Sequence, residues 1–278
     1  MSLATESTRT HRRHAIRPRR LGLEFGPGTP RHVVAHDPLV SRFLDTLSLT
    51  FPDGEKFFVE SVRHFRDQAR DEAHAADIAG FVAQEMQHSL EHEKWNHHLA
   101  QQGVEALARK LLKGARIRFT PRERLGATAA LEHVTAVLAK SLLDETTLVS
   151  LDPSVRPLWL WHAIEEIEHK SVAFDLHATI GGSHTERRVM LVVGTLYLAA
   201  FTSYYTYRFL EADGVARDPR VLGRGLWRLW GWNGLLSRAL PDYLDFFRGR
   251  FHPEHHDTDA LLVDRRAELE RLRARTSR

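Results

Sequence analysis

His162, Glu166 and His169 are spaced by four and then three residues, which puts them on one face of a helix. Imidazole nitrogen and carboxylate oxygen together suit a transition metal such as iron, manganese or zinc. Glu85, His88 and His92 form a second stripe, spaced by three and then four. Two further carboxylates, Glu55 and Glu132, fall on apolar helix faces. A carboxylate among alanines and leucines is costly unless it is paired or bound to a metal.

The candidates arrange themselves as a single Glu (Glu55), a Glu-x-x-His (Glu85, His88), a single Glu (Glu132) and a second Glu-x-x-His (Glu166, His169). Four helices that each send such groups inward make the dinuclear carboxylate site of a ferritin-like bundle. Two glutamates can bridge two cations while each histidine holds one. The expected cofactor is therefore two divalent metal ions, iron before manganese or zinc. His92 and His162 lie on the same stripes and join the metal set, either as extra nitrogen ligands or as hydrogen-bonding support. Glu166 is preferred over Glu165 and Glu168 because its spacing to His169 repeats that of Glu85 to His88. Glu165 and Glu168 are the candidate catalytic bases, with salt-bridged surface residues as the alternative reading. His133 lies about 100° round the helix from Glu132 and reads as structural support. Glu60, Glu91, Glu93, His97 and His98 read as solvated or peripheral.

These groups need four long helices to bring them together. A turn at Pro52-Asp53-Gly54 is expected before a helix over 55–69, and a second helix over 72–101. An antiparallel hairpin centred near residue 70 then sets Glu55 opposite Glu85, and Glu60 well away from it. A connecting helix is expected over 102–119, the Glu132 helix over 121–149, and the His162 helix from Pro153 to about 177, ended by Gly181-Gly182. The apolar run from Val189 to Phe201, within a helix over 186–212, is too short to span a bilayer and is expected to be buried. The aromatic stretch 220–250, with Trp227, Trp230 and Trp232, is expected to pack onto the bundle. The fold class is thus all-α: a ferritin-like four-helix bundle with additional C-terminal helices. Residues 1–20 read as a disordered basic tail, 21–255 as a single metal-binding helical domain, and 256–278 as a charged C-terminal helix facing solvent or a partner.

Composition narrows the chemistry. The 278 residues contain no cysteine, so thiolate ligands, disulfides and cysteine nucleophiles are excluded. Several of the 18 histidines fall near carboxylates at helical spacing. A net charge of +3, much of it in the N-terminal arginines, gives no nucleic-acid signature strong enough to expect such a partner. No apolar secretion segment follows the basic run, so a cytoplasmic location is expected. The expected partner is a small-molecule substrate. The aromatic segments leave peripheral membrane contact open, and a homodimer is open too.

The segments Leu47–Phe58 (LSLTFPDGEKFF), Gln84–Asn96 (QEMQHSLEHEKWN), Leu131–Thr135 (LEHVT), Trp161–Asp175 (WHAIEEIEHKSVAFD) and Phe251–Pro253 (FHP) resemble the bacterial family of predicted metal-dependent hydrolases. The resemblance covers most of residues 20–255 and implies hydrolysis by a bound metal. The His162-x-x-x-Glu166-x-x-His169 helix is also similar to the fourth helix of the diiron arylamine oxygenases, where an added histidine joins the usual ligands. Three functions follow as expectations. One is a metal hydrolase whose metal-bound water attacks, since no Gly-x-Ser-x-Gly elbow is present. The second is a diiron oxygenase or oxidase, with the apolar helix 189–206 lining a pocket for a hydrophobic substrate. The third is non-enzymatic metal storage or sensing.

Overall fold

The computed structural model describes residues 15–104 and 119–276. It is all-α, with no β-strand among the described residues. Among the described residues ten α-helices follow in order: α1 Pro38–His64, α2 Glu72–Leu99, α3 Pro121–Leu142, α4 Glu145–Ser150, α5 Arg156–His169, α6 Val172–Thr179, α7 His184–Ala212, α8 Pro219–Trp230, α9 Leu235–Asp245 and α10 Asp259–Thr276. Helices α1, α2, α3 and α5 form the bundle, and α7 to α10 pack around it. Residues 1–14 of the expected tail and most of the expected connecting helix lie outside the described residues.

Starts and stops follow local chemistry. Asp37 caps α1, with Pro38 in its first turn, and Asp71 caps α2 through the His74 N–H. Thr120 with Glu123, and Ser183 with Glu186, close reciprocal capping boxes on α3 and α7, each satisfying two otherwise unbonded groups.

The expected turn at Pro52 is replaced by helix: α1 runs through Pro52 without a break. A proline there has no N–H for the carbonyl four residues back and costs about 3 kcal/mol in a helix interior. The carbonyl concerned is Ser48 O, and the Asn96 side-chain Nδ2–H donates to it at 3.0 Å. A part-buried bond from the neighbouring helix thus replaces the one proline cannot make. The expected helix over 121–149 ends instead at Leu142, because Asp144 caps the separate short helix α4 through Thr146 N–H. The His162 helix also divides, into α5 and α6. The break at Lys170-Ser171 falls where the C-terminal segment docks: Lys170 Nζ donates to His256 O at 2.7 Å and Ser171 to Glu254 at 2.9 Å. Gly181, at φ 78°, adopts the left-handed turn that glycine permits just after α6.

The apolar residues form two clusters. One gathers Leu39–Leu47 of α1, Trp95, Leu142 and Leu158–Ile167; the other gathers Phe58, Val62, Phe81, Leu125–Val134 and Val172–Leu176. Along α1, α2 and α3 the order is apolar, polar, apolar, and α5 leads through its polar residues into apolar α6, so the charged candidates form a transverse layer between two cores.

Three outer elements depart from expectation. Helix α7 is long and apolar enough to cross a membrane, yet only 22% of its most apolar window is buried. Only one side packs on α3 and α1, so it is not the buried core helix expected. Trp227, Trp230 and Trp232 are exposed rather than packed, because α8 buries Gly225 and Leu229 on its other edge. Helix α10 is not wholly solvent-facing: Leu262 and Leu269 enter the first cluster, and Arg266 reaches Glu168 at 2.7 Å.

Residues 15–20, expected as part of the disordered tail, lie along the bundle. Residues 16–25 form a strap along α2. Ile16 sits over Gly80, where an added Cβ would stand 2.8 Å from Ile16. Gln84 donates to Arg17 O at 3.2 Å, the Gly22 and Leu23 N–H groups donate to Glu91 at 3.0 and 3.1 Å, and Phe25 meets Trp95 edge-on. Glu91 is therefore a buried anchor for this strap and not a solvated charge. His98, expected on a peripheral face, is buried and stacks on Trp95.

Candidate metal centre

The hairpin of α1 and α2 brings Glu55 beside Ser89, which donates to its Oε2 at 2.7 Å. Glu60 stays outside, exposed and paired with Arg124. Glu132 enters from α3, and His162, Glu166 and His169 from α5. Glu55, Glu85, His88, Glu132, Glu166 and His169 are all buried, as is His162.

Two adjoining groups result. Glu55, His88 and His162 offer ligand atoms that lie within 4.8 Å of one another, and so do Glu85, Glu166 and His169. Glu132 joins the second group, 3.2 Å from His169 Nε2. Glu166 Oε1 stands 3.1 Å from His162, 3.4 Å from His88 and 3.6 Å from His169. Glu85 Oε1 stands 3.5 Å from His88 and 3.1 Å from His169. Glu85 and Glu166 thus sit between the groups, where bridging ligands belong.

The donor set fits a metal on an independent observation. Both oxygens of Glu85 and Glu132, Glu55 Oε1, Glu166 Oε2, His88 Nδ1 and His169 Nε2 are buried and make no hydrogen bond. Buried polar atoms are ordinarily bonded. These atoms approach one another to just over 3 Å without hydrogen-bond geometry, so their lone pairs converge. Ligands held about 2.0–2.2 Å from one cation stand about 3 Å apart when at right angles.

Electrostatics point the same way. Burial holds Glu55 well above the usual carboxylate range, with Glu85 adding and His88 opposing. Burial pushes Glu132 up to about 8, with His169 opposing and Glu85 and Glu166 adding. Burial would also raise Glu166, but His169 and His162 outweigh it and hold it well below the usual range. His88 and His169 are raised well above the ordinary imidazole value: burial opposes, and the surrounding glutamates win. Four buried carboxylates demand positive charge, which protons or metal ions can supply.

Each candidate histidine is oriented by its other nitrogen. His88 Nε2–H donates to Glu165 Oε2 at 3.2 Å, leaving Nδ1 toward the cavity. Gln84 donates its Nε2–H to Glu168 at 2.9 Å, so its Oε1 faces His169 Nδ1 at 3.0 Å. That nitrogen must carry the proton, and Nε2 faces the cavity. For His162 the chain is longer. Asn96 Nδ2–H is taken by Ser48 O, so Asn96 Oδ1 accepts the Ser48 hydroxyl at 2.8 Å. Ser48 Oγ then accepts from His92 Nδ1–H at 2.8 Å, and His92 Nε2 accepts from His162 Nδ1–H at 2.8 Å. His162 Nε2 is left with its lone pair toward Glu166. Burial lowers both His92 and His162, with the neighbouring imidazoles adding, so each carries one proton. Phe51 stacks on His162 at 4.6 Å, Trp161 meets His88 edge-on and Phe81 meets His169 edge-on.

Both ring nitrogens of His92 are engaged, so of the two roles expected of it the geometry gives the support of His162 and not a place at the cavity. Glu165 and Glu168 are held in buried salt bridges and do not stand free as bases. Arg19 donates to Glu165 at 3.0 Å and to Glu168 at 2.7 Å, and Arg266 donates to Glu168 at 2.8 Å. Every oxygen of the two carboxylates is engaged, which leaves no free base. Burial opposes the charge of Glu168, but Arg19 and Arg266 hold it below the usual carboxylate range. His133 is structural, its ring packed among Phe246, Phe251 and His256.

Gln84, Ser48 and Asn96 were missed as site residues. Asn96 continues the four-residue spacing of His88 and His92, a signal that the stripe extends. Arg19 has no such signal, since it comes from a strap 146 residues before Glu165. A further half-buried group, Asp242, Asp245 and His256, is less suited to a metal because Lys140 already neutralises Asp242 at 2.6 Å.

A cavity of about 790 Å³ opens onto this layer between α1, α3, α5 and α7. Glu55, His162 and Glu166 form its polar end, and Leu47, Phe58, Leu131, Leu138, Val193 and Phe201 are among its apolar walls.

The bundle and its buried layer define an all-α protein with a candidate histidine–carboxylate metal centre. The model of the family described as predicted metal-dependent hydrolase matches residues 17–257, and the chain belongs to that family. Comparison with curated proteins and with solved structures finds no significant match.

Proposed function

We propose that the protein is a dinuclear metal enzyme that hydrolyses a small apolar substrate. The observation that carries this reading is the convergence of buried, unbonded donor atoms at the polar end of an apolar cavity. Glu55, His88 and His162 would hold one ion and Glu132 and His169 the other, with Glu85 and Glu166 between them. Four carboxylates balance two divalent cations in charge. Iron, manganese and zinc all accept this mixed donor set. When bound, such ions supply an activated water near neutral pH and polarise a carbonyl or phosphoryl oxygen.

The chain's own residues do the rest. Glu165, Gln84 and the Ser48–His92 relay fix the three imidazoles. Phe51, Leu47 and Phe58 exclude bulk water from the polar end. The walls from α3 and α7 bind the apolar part of the substrate and leave its polar group against Glu55 and Glu166. With Glu165 and Glu168 committed to arginine, no separate base stands at the cavity.

The apolar, carboxylate-rich chamber also favours a second reading, a diiron oxidoreductase. Elemental analysis of protein purified without chelator should return close to two transition-metal ions per chain. Hydrolysis of acyl esters of increasing chain length, assayed with each metal, tests the first reading. Rapid oxygen uptake on anaerobic ferrous loading, with no ester hydrolysis, would transfer the assignment to the second. Less than one ion per chain would remove both.

A further inference from the structure

Helix α7 carries no charged residue between Arg188 and Arg208, a length of about 28 Å. Val189, Val193, Leu196, Tyr204 and Tyr207 are exposed along it, Leu196 at 66%. Helix α8 continues this surface. Around its circumference the buried edge of Gly225 and Leu229 is followed by exposed Leu226, Trp230 and Trp227, and then by Arg220, Arg224 and Arg228. Trp227 is 70% exposed and Trp232, just beyond the helix, 88%. An apolar groove of about 380 Å³ joins the two helices to α9, with Tyr207, Leu226, Trp230 and Leu240 on its rim. So much contiguous exposed apolar surface marks a binding face.

We propose that this face docks on the surface of an anionic lipid bilayer. A helix with an apolar tryptophan edge beside an arginine edge is suited to lie in the interface plane, rings among the acyl chains and guanidinium groups among the phosphates. Charge favours this occupant. Residues 214–234 hold Arg217, Arg220, Arg224 and Arg228 against the single acid Asp218, whose side chain caps α8. Arg224 also donates to His36 O at 2.7 Å and Arg228 lies 3.7 Å from Asp37, so the stripe is anchored to the bundle. A second copy is a poorer fit: a two-fold contact centred here would set each arginine stripe against its own image. The face also borders the cavity, since exposed Val193 and Tyr197 line both. Docking would therefore present the cavity to apolar molecules dissolved in the bilayer, a consequence that rests on the cavity being the substrate site.

Flotation of the full chain with vesicles tests the docking without metal or substrate. Vesicles of phosphatidylcholine with phosphatidylglycerol should carry the protein at least tenfold more strongly than phosphatidylcholine alone. The triple substitution W227S/W230S/W232S, all at exposed positions, should lower that binding at least tenfold with an unchanged helical spectrum. R217Q/R220Q should remove most of the preference for the anionic vesicles. Binding to neither vesicle, or equal binding to both, overturns the proposal. So does a stable dimer in solution that the tryptophan substitutions split. Glu132→Ala should float like the wild type, which separates failure of the docking from failure of the metal reading.

Discussion

Replacing Ser48 with alanine tests the orientation of His162. The hydroxyl both gives a proton to Asn96 Oδ1 and takes one from His92 Nδ1. Without it, the His92 Nδ1–H is a buried donor with no acceptor, at a cost of about 1–3 kcal/mol. His92 can avoid that cost only by moving its proton to Nε2. That proton then faces His162 Nδ1 and drives the His162 proton onto Nε2, the nitrogen at the cavity. Either way the state with a metal-ligating His162 loses stability. Loss of such a supporting contact lowers metal affinity about 10–100-fold, equivalent to about 1.4–2.7 kcal/mol. Competition with a chelator measures the affinity, and imidazole nitrogen resonances report which ring atom bears the proton. Ser48→Thr, which keeps the hydroxyl, should keep the affinity. Unchanged affinity together with unchanged nitrogen resonances in Ser48→Ala would refute the relay.

Glu132→Ala should lower metal content from two ions toward one, measured by elemental analysis; full occupancy would remove Glu132 from the ligand set. Arg19→Ala leaves buried Glu165 and Glu168 short of a cation and should cost about 3 kcal/mol in urea unfolding, at the low end of such losses because Arg266 remains on Glu168. His133 gives a pH prediction. Burial, with His256 adding, pushes it down to about 4. Above pH 6.5 it is neutral both folded and unfolded. As pH falls from 6.5 toward 4 the unfolded chain takes up a proton the folded chain refuses, so stability drops by up to about 3 kcal/mol. His133→Phe, into a site lined by Phe246 and Phe251, should flatten the denaturation midpoint over that range relative to wild type.

Helical periodicity carried the bundle and its polar layer because both are local signals: spacings of three and four place Glu85 with His88 and Glu166 with His169 whatever else the chain does. Glu55 could be preferred to Glu60 because an antiparallel hairpin turns two local patterns into one geometric constraint. Pro52 misled for the opposite reason. Its cost is a local quantity, but the Asn96 bond that offsets it comes from another helix. His92 was ambiguous in sequence because a metal ligand and a histidine that orients one occupy the same stripe. Only the position of Ser48 distinguishes them. The solvent side of α7 was misjudged because a run apolar on every face is compatible with burial or with an uncovered edge. Which holds depends on how far α8 and α9 reach.

The clamp on Glu168 joins the two ends of the described chain, Arg19 from the strap and Arg266 from α10. A protein is made from its N-terminus onward, so the order of synthesis separates two events. All the proposed donors exist once His169 has left the ribosome, whereas Glu168 cannot receive its second arginine until nearly 100 further residues have followed, Arg266 lying 98 positions beyond it. In a nascent chain the bundle can gather its donors while this side of the chamber is still held by a single arginine. Metal uptake in that interval would need no later opening of the fold, and the last helix would lock in what the four bundle helices had already collected.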